Sequence, residues 1–504
     1  LRILFLLNNV SKTRHFEGVI AGLVERGHAV VLAAARQRNR PLSLPKGLTV
    51  VNDRLIAQGS HGRIEVIPCP ARRVDAWQTV APALRQARDY LRFQDPRYAH
   101  ADKLEQRSAA AAPTNWPHFV QRHAWVRRHW RHVSRTLAAA ERLIPTDPIF
   151  DLFIKYEAPD VVLVTPLVDF GSYQTDYVKS AHRAGVPVAF LPFSWDNLTN
   201  RGLIRIEPDR ILVWNDIQKR EAVDLHGAAE RRVVVTGAPR FDEFFSMRPS
   251  TERAEFCRER GLDPASPFLL YLCSSEFVAP REVEFVKEWI RAVRGSAQPN
   301  VRSCGVLVRP HPAHLKQWRH VDLRASPNVA LWTEKETMNA DQGLYDSLHH
   351  AAAVVGLNTS AMIEAGILGK PVHTIVTERF AGGQENTLHF EYLRAENGGL
   401  LLEARSLDEH VRRLDESLRA GAETRQRSLR FVERFVRPRG LAMPVAPMMV
   451  EEIERIARIA KRPARTGPWR YPLRWGLQAA MTGARHVRSA TGRRVEFKSS
   501  KVDG

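Results

Sequence analysis

The chain has 504 residues, 44% of them hydrophobic and 26% charged, an ordinary globular composition but too long for one compact core. Its four cysteines, Cys69, Cys257, Cys273 and Cys304, show no paired or CxxC spacing, which argues against a disulfide framework or zinc site, and no apolar run is long enough to cross a bilayer. A net charge of +20 calls for an anionic partner: phosphate, an anionic membrane face or an acidic substrate.

The segment RILFLLNN followed by SKTRHFEGVIAGLVERGHAVVLAAA reads as strand, loop, amphipathic helix, Gly27 stop and strand, a parallel crossover unit. No leader pattern precedes that strand, so the expectation is a cytoplasmic protein that also meets the inner face of the cytoplasmic membrane. From 72 to 147 the pattern gives way to long basic helices, read as an insertion on the first domain. Strands resume with PDVVLV, VPVAFL, DRILVWN and RVVVTGA, each with a helical stretch nearby. After 248 the alternation restarts: SPFLLYLCSS, EVEFVKEWIRAVRG, GVLVRP, NVALWT, AVVGLN, PVHTIV and GGLLLEA. The expectation is an α/β chain of two doubly wound, Rossmann-like parallel-sheet domains facing a cleft, 1–245 and 246–435. A helical segment at 436–464 and a basic aromatic tail at 465–504 follow.

The chemistry concentrates at the carboxyl ends of strands. In VLVRPHP at 306–312, His311 falls just past an apolar run, with Arg309 beside it. In AVVGLNTSAMIEAGILGKPVHTIV at 353–376, Asn358, Thr359 and Ser360 form a polar turn where a helix begins. Unpaired N–H groups at a helix start favour phosphate oxygens, so this set reads as a phosphate pocket; Thr359 and Ser360 also read as plain helix caps. Glu364 sits among Ala361, Met362, Ile363 and Ala365, and a buried carboxylate there asks for a reason. The loop at 380–393 offers Gln384, Asn386, Thr387 and His389 to a donor sugar, or is a plain surface loop. Two first-domain loops place Asp169 and Asp196 after strands, where an acidic base is useful and where turn chemistry is equally at home. No Asp-x-Asp triplet for a metal is present, so hydroxyls and cations are expected to hold a phosphate, with no metal or other cofactor.

Taken together, the His-bearing opening loop, the "ERGH" helix end, the His-Pro dipeptide and "TSAMIEAGILGKPV" resemble the GT-B glycosyltransferases. Among these the chain is most similar to bacterial surface-polysaccharide enzymes: capsule Kdo transferases, HP-motif sialyltransferases and CDP-glycerol glycerophosphotransferases. The resemblance spans roughly 1–70 and 150–435. It implies that His311 touches the donor phosphate and that Pro312 shapes the loop presenting it. Thr359 and Ser360 would bond phosphate oxygens, Glu364 would meet ribose or sugar hydroxyls, and His15 would stand where relatives keep a catalytic base. Either Asp169 or Asp196 could serve instead. Thr-Ser replaces the family's Ser-Ser, which weakens a cytidine donor, and the glycine-rich "DSGG" turn of 2-epimerases is absent.

The activity implied is metal-independent transfer of a sugar from a nucleotide-activated donor to an acceptor hydroxyl, in envelope polysaccharide or glycolipid synthesis. The alternatives are a CDP-glycerol-type phosphotransferase and a non-catalytic basic protein that keeps a degenerate GT-B fold. Two basic aromatic segments, NWPHFVQRHAWVRRHWRHVSR at 115–135 and Arg465–Gly504, suit a membrane surface or lipid-linked acceptor. Nucleic acid ranks last among the partners, since no nucleic-acid module is present.

Overall fold

A computed structural model describes residues 1–35, 48–51, 54–57, 63–323, 325–332, 340–459 and 472. The basic tail 465–504 thus lies, apart from Pro472, outside the described residues. The chain divides into two compact units. The first takes 1–99, 104–240 and the residues from Pro444 onward; the second takes 100–103 and 241–443.

The described residues of the first unit form nine strands: β1 (Arg2–Leu7), β2 (Ala29–Ala35), β3 (Leu48–Val51), β4 (Arg54–Ala57), β5 (Arg63–Cys69), β6 (Val161–Thr165), β7 (Val188–Phe190), β8 (Arg210–Val213) and β9 (Val233–Val235). Their order across the sheet is β3-β4-β5-β2-β1-β6-β7-β8-β9. The seven strands from β5 to β9 run parallel, and β3 and β4 add an antiparallel edge. Parallel strands are covered on both faces, which is why RILFLL and VVLV are apolar without alternation. One face packs on helix Glu17–Glu25 and on helix Val445–Ala457, which returns from the far end of the chain. These two helices approach closely because Gly18 and Gly22 face Ala446 and Val450; a Cβ at either glycine would lie 3.2 Å from its neighbour. Phe150, Ile154, Tyr177 and Val178 cover the other face.

The segment between β5 and β6 is helical: Val80–Arg92, Asp102–Ala111, Trp116–Arg122, Ala124–Arg128 and Trp130–Leu143. Buried arginines tie it to the sheet. Arg85 donates to both oxygens of Glu141 (3.1 and 2.9 Å) and of Asp176 (2.7 and 2.8 Å), and all three side chains are buried. Arg73 adds a 2.6 Å bond to Asp176. Arg92 donates to the carbonyls of Arg201 (2.7 Å) and Gly202 (2.9 Å), and Asp89 accepts from the N–H groups of Gly171 and Leu203 and pairs with Arg205. The insertion therefore braces the loops that follow β6 and β7. Gly171 permits this, having φ +69° and standing where a Cβ would come within 2.8 Å of Gln86.

The second unit carries six parallel strands: β10 (Phe268–Leu272), β11 (Gly305–Arg309), β12 (Val329–Leu331), β13 (Ala353–Gly356), β14 (Val372–Ile375) and β15 (Leu401–Ala404). Their order is β12-β11-β10-β13-β14-β15. Trp289, Tyr271 and Trp318 centre its core. All four cysteines are buried and free of disulfides. No helix among the described residues is long and apolar enough to cross a membrane.

Candidate functional site

Open parallel sheets bind ligands beyond their carboxyl edge, where the strand order turns back on itself. In the second unit that point lies between β10 and β13: the chain steps from β10 outward to β11 and β12, then returns to β13 on the opposite side. The loops there are tied to one another. The backbone N–H of Asn358, after β13, donates to Ser274 Oγ, after β10, at 3.4 Å. The Asn358 amide donates to the carbonyl of Gly383, after β14, at 2.6 Å. Asn358, buried, is thus the brace of the edge rather than a group held out to solvent. Thr359 is half-buried and Ser360 exposed, and the Ser360 hydroxyl makes no capping bond. The helix it precedes, Ala361–Ile367, has only seven residues, so the hydroxyls matter more there than a summed dipole. Glu364 is buried on that helix.

Arg309 closes β11, with its guanidinium 4.3 Å from the centre of the Trp332 ring. His311 is half-buried two residues on, and its carbonyl accepts from the N–H of His314 at 2.8 Å. Pro312 is exposed and opens the short helix Pro312–Trp318. The loop after β14 divides by role. Gln384 is fully buried, and its amide donates to the carbonyls of Leu357 (3.1 Å) and Ile375 (3.0 Å), which draws it into the fold and away from any sugar. Thr387, also buried, donates to the Gln384 carbonyl. His389 is buried, whereas Asn386 is half-exposed.

One group at this edge escaped the sequence reading. Glu282 is fully buried and accepts from Ser274 N–H at 2.7 Å and from the Tyr271 hydroxyl at 3.3 Å. Burial pushes its carboxyl up to about 8, so it is largely protonated at neutral pH. The signal for Ser274 was available, since Ser274-Ser275 directly follow an apolar strand; Glu282 had none, being one acid among several in an amphipathic helix.

The first unit has its own turning point, between β1 and β6. Asn8, after β1, donates to Asp169, after β6, across it at 2.9 Å. Asp169 also pairs with Arg201. Leu167, at φ +51°, shows that the β6 loop follows a path few side chains adopt unaided. His15 ends the helical turn Val10–His15; its ring is 5.0 Å from that of Phe193, which follows β7. Lys12 lies over the same phenyl ring at 4.3 Å and Arg201 at 5.4 Å. Burial, then Arg240, Arg14 and Lys12, hold His15 well below the usual imidazole range, so it is neutral at pH 7. Its Nδ1 is buried without a hydrogen-bond partner among the described residues. Asp196 is half-buried and bonded to the Asn200 amide. His15, Asp169 and the Asp196 loop therefore gather at the ends of three adjacent strands, though they come from three separate stretches of sequence. Lys12 and Arg201 belong with them and were not singled out by pattern. Among the described residues no three His, Cys, Asp or Glu side chains are grouped to hold a metal ion.

The described residues thus carry two tandem Rossmann-like parallel-sheet domains, each with polar loops gathered at its turning point. No protein-family model and no curated protein sequence matches the chain. Among solved structures it is similar to a protein of Listeria monocytogenes assigned as a UDP-N-acetylglucosamine 2-epimerase, with TM-score 0.49 and 11% identity over 92% of this chain and 99% of that one. It is also similar to S. aureus MnaA in a co-structure with UDP (TM-score 0.48, 12% identity, 92% and 100% covered). A third is Anabaena HepE in complex with UDP (0.46, 10%, 90% and 100%).

Proposed function

We propose that the chain is a metal-independent glycosyltransferase, moving a sugar from a nucleotide-activated donor to an acceptor hydroxyl in cell-envelope polysaccharide or glycolipid synthesis. The observation that supports this most is the turning point of the second unit, where the loops after β10, β13 and β14 are bonded together and the Ser360 hydroxyl is left exposed. Arg309, His311, Thr359 and Ser360 would meet the donor phosphate, with Pro312 shaping the approach and Glu364 meeting donor hydroxyls. Asn386 and His389 would face the sugar. In the step itself the acceptor hydroxyl gives its proton to His15 and its oxygen bonds the anomeric carbon. The bond from that carbon to the donor phosphate breaks, and the nucleotide leaves with the electron pair. Of the three candidate bases, His15 keeps a nitrogen without a partner, while Asp169 is held by Arg201 and Asn8 and Asp196 by Asn200.

The test is a thermal-shift screen of the full chain with UDP, CDP, CMP and GDP sugars, since a ligand at 100 times its Kd adds about 2.7 kcal/mol of stability. His311→Ala and Ser360→Ala are expected each to weaken the active donor about tenfold, at unchanged unliganded Tm. Normal donor affinity in both variants refutes the site. A glycerophosphotransferase is told apart by glycerol phosphate, not sugar, appearing in the product.

The surface of the insertion supports an acceptor met at an anionic membrane face. Trp116 and Trp130 pack inward, but Phe119 (43%) and Trp125 (65%) are exposed beside exposed Arg122, Arg127, Arg128, Arg131 and Arg135. No acidic residue lies between Glu105 and Glu141. Ring tips at headgroup depth among arginines suit anionic lipid. Binding to phosphatidylglycerol-rich vesicles, absent with phosphatidylcholine alone, is expected to drop about 30-fold in Arg127→Ala/Arg128→Ala, at about 1 kcal/mol per basic side chain. Equal binding by that variant, or salt-sensitive binding to nucleic acid in place of vesicles, sinks the assignment.

A further inference from the structure

Two histidines of the second unit are fully buried and take no part in the site described above: His373 on β14 and His410 on the helix Leu407–Arg419. That helix packs on β13, β14 and β15 and against the helices Glu282–Arg294 and Pro299–Ser303. The two rings lie 5.6 Å apart at 84°. Their hydrogen bonds fix where each proton sits. The Trp289 indole N–H, which can only donate, meets His410 Nε2 at 2.9 Å, so the neutral ring carries its proton on Nδ1. Ser417 gives its one O–H to the Leu414 carbonyl at 2.9 Å. Across the 2.8 Å contact to Ser417, His373 Nε2 is therefore the donor and Nδ1 the bare nitrogen. Both Nδ1 atoms are buried with no hydrogen-bond partner among the described residues.

A second proton has no favourable place on either ring. On His410 it sets two donors against each other at Trp289; on His373 it adds a buried N–H with nothing among the described residues to accept it. The surroundings do not offset the charge. The sheet places Val355 and Leu402 beside His373. Arg413, on the helix, adds positive charge and is paired with Glu409 at 2.8 Å, while Asp415 is engaged by Asn300 and Arg419. Burial, then His410 and Arg413, hold His373 well below the usual imidazole range, and burial brings His410 down to about 3.

We propose that His373 and His410 form an acid-released latch on the helix Leu407–Arg419, which stays docked on β14 only while both rings are neutral. The latch stands apart from the transferase reading and does not rest on it. The folded rings take a proton less readily than unfolded ones. Docking is therefore complete above about pH 6.5 and weakens below it, by about tenfold per pH unit for each ring. β14 runs into the loop whose Gly383 carbonyl holds Asn358, so release of the helix removes the backing of that edge.

The test is hydrogen exchange of the full chain, read by mass spectrometry at about pH 7.5 and about pH 5 and corrected for the intrinsic pH dependence of exchange. Amides of Leu407–Arg419 are expected to lose about 30-fold or more of their protection at the lower pH, while those of β10 in the same unit keep theirs. His410→Gln, whose side-chain oxygen still accepts from Trp289, is expected to remove about 30-fold of that acid sensitivity. His373→Gln, whose amide still donates to Ser417, is expected to do the same. The readout is a ratio between two pH values within one protein, so a variant that is merely weaker throughout does not imitate it. Equal acid sensitivity in the parent and both variants overturns the latch. Equal loss in Leu407–Arg419 and β10 also overturns it, because the whole unit then unfolds together. Full protection of the helix at the lower pH does so as well.

Discussion

Replacing His15 with Gln is expected to lower kcat by about 10²–10⁴-fold while leaving the Kd of the nucleotide donor unchanged. The imidazole is buried and neutral, so one of its two ring nitrogens carries a lone pair, and Nδ1 has no hydrogen-bond partner among the described residues. Glutamine fills much of the same space against Phe193 but takes no proton at neutral pH. The proposed donor site lies in the other unit of the chain, so the two measurements separate loss of chemistry from loss of fold or of binding. A kcat within threefold of the parent protein would remove His15 from the reaction. Asp169 would then be the base to test, since its carboxylate is 31% exposed.

The second large effect is on stability. Arg85→Ala is expected to destabilise the protein by about 3–5 kcal/mol, read as a lower urea midpoint at unchanged slope. Arg85 is buried between Glu141 and Asp176, and its removal leaves two carboxylates in a dry site with half their partners gone. Typical domains hold only about 5–15 kcal/mol in total, so this one change brings the first unit near its limit. Acid should act on the same cluster. Arg85 holds the Glu141 and Asp176 carboxyls below their ordinary range. Their contribution is therefore complete above the unfolded carboxylate pKa, near 4, and is lost as pH falls through the folded values. A loss of stability under about 1 kcal/mol would mean that the helical insertion is only loosely attached.

Much of the architecture was legible before any coordinates. Parallel strands such as VVLV and AVVG carry unbroken apolar runs because both faces are covered, and Gly27 and Gly369 mark helix ends by their left-handed backbone. The stretch from 48 to 69 was not legible. Leu48–Val51, Arg54–Ala57 and Arg63–Cys69, at one side of the sheet, carry charged or polar residues among the apolar ones, so no clean period marks them. Gln384 misled for a different reason: polar residues in a loop look like ligands until the backbone carbonyls they serve are known.

By itself, then, the amino-acid order determined the alternation of strand and helix, the two-sheet plan, and where His15, Asp169, His311 and Ser360 fall relative to strand ends. Those features follow from local periodicity and from residues that stop helices. Only the tertiary structure decided which strand ends are neighbours, because strand order depends on crossovers that no local pattern records. That ordering is what brings Lys12 and Arg201, 189 positions apart, onto one phenyl ring, and what buries Arg85 between acids from two other helices.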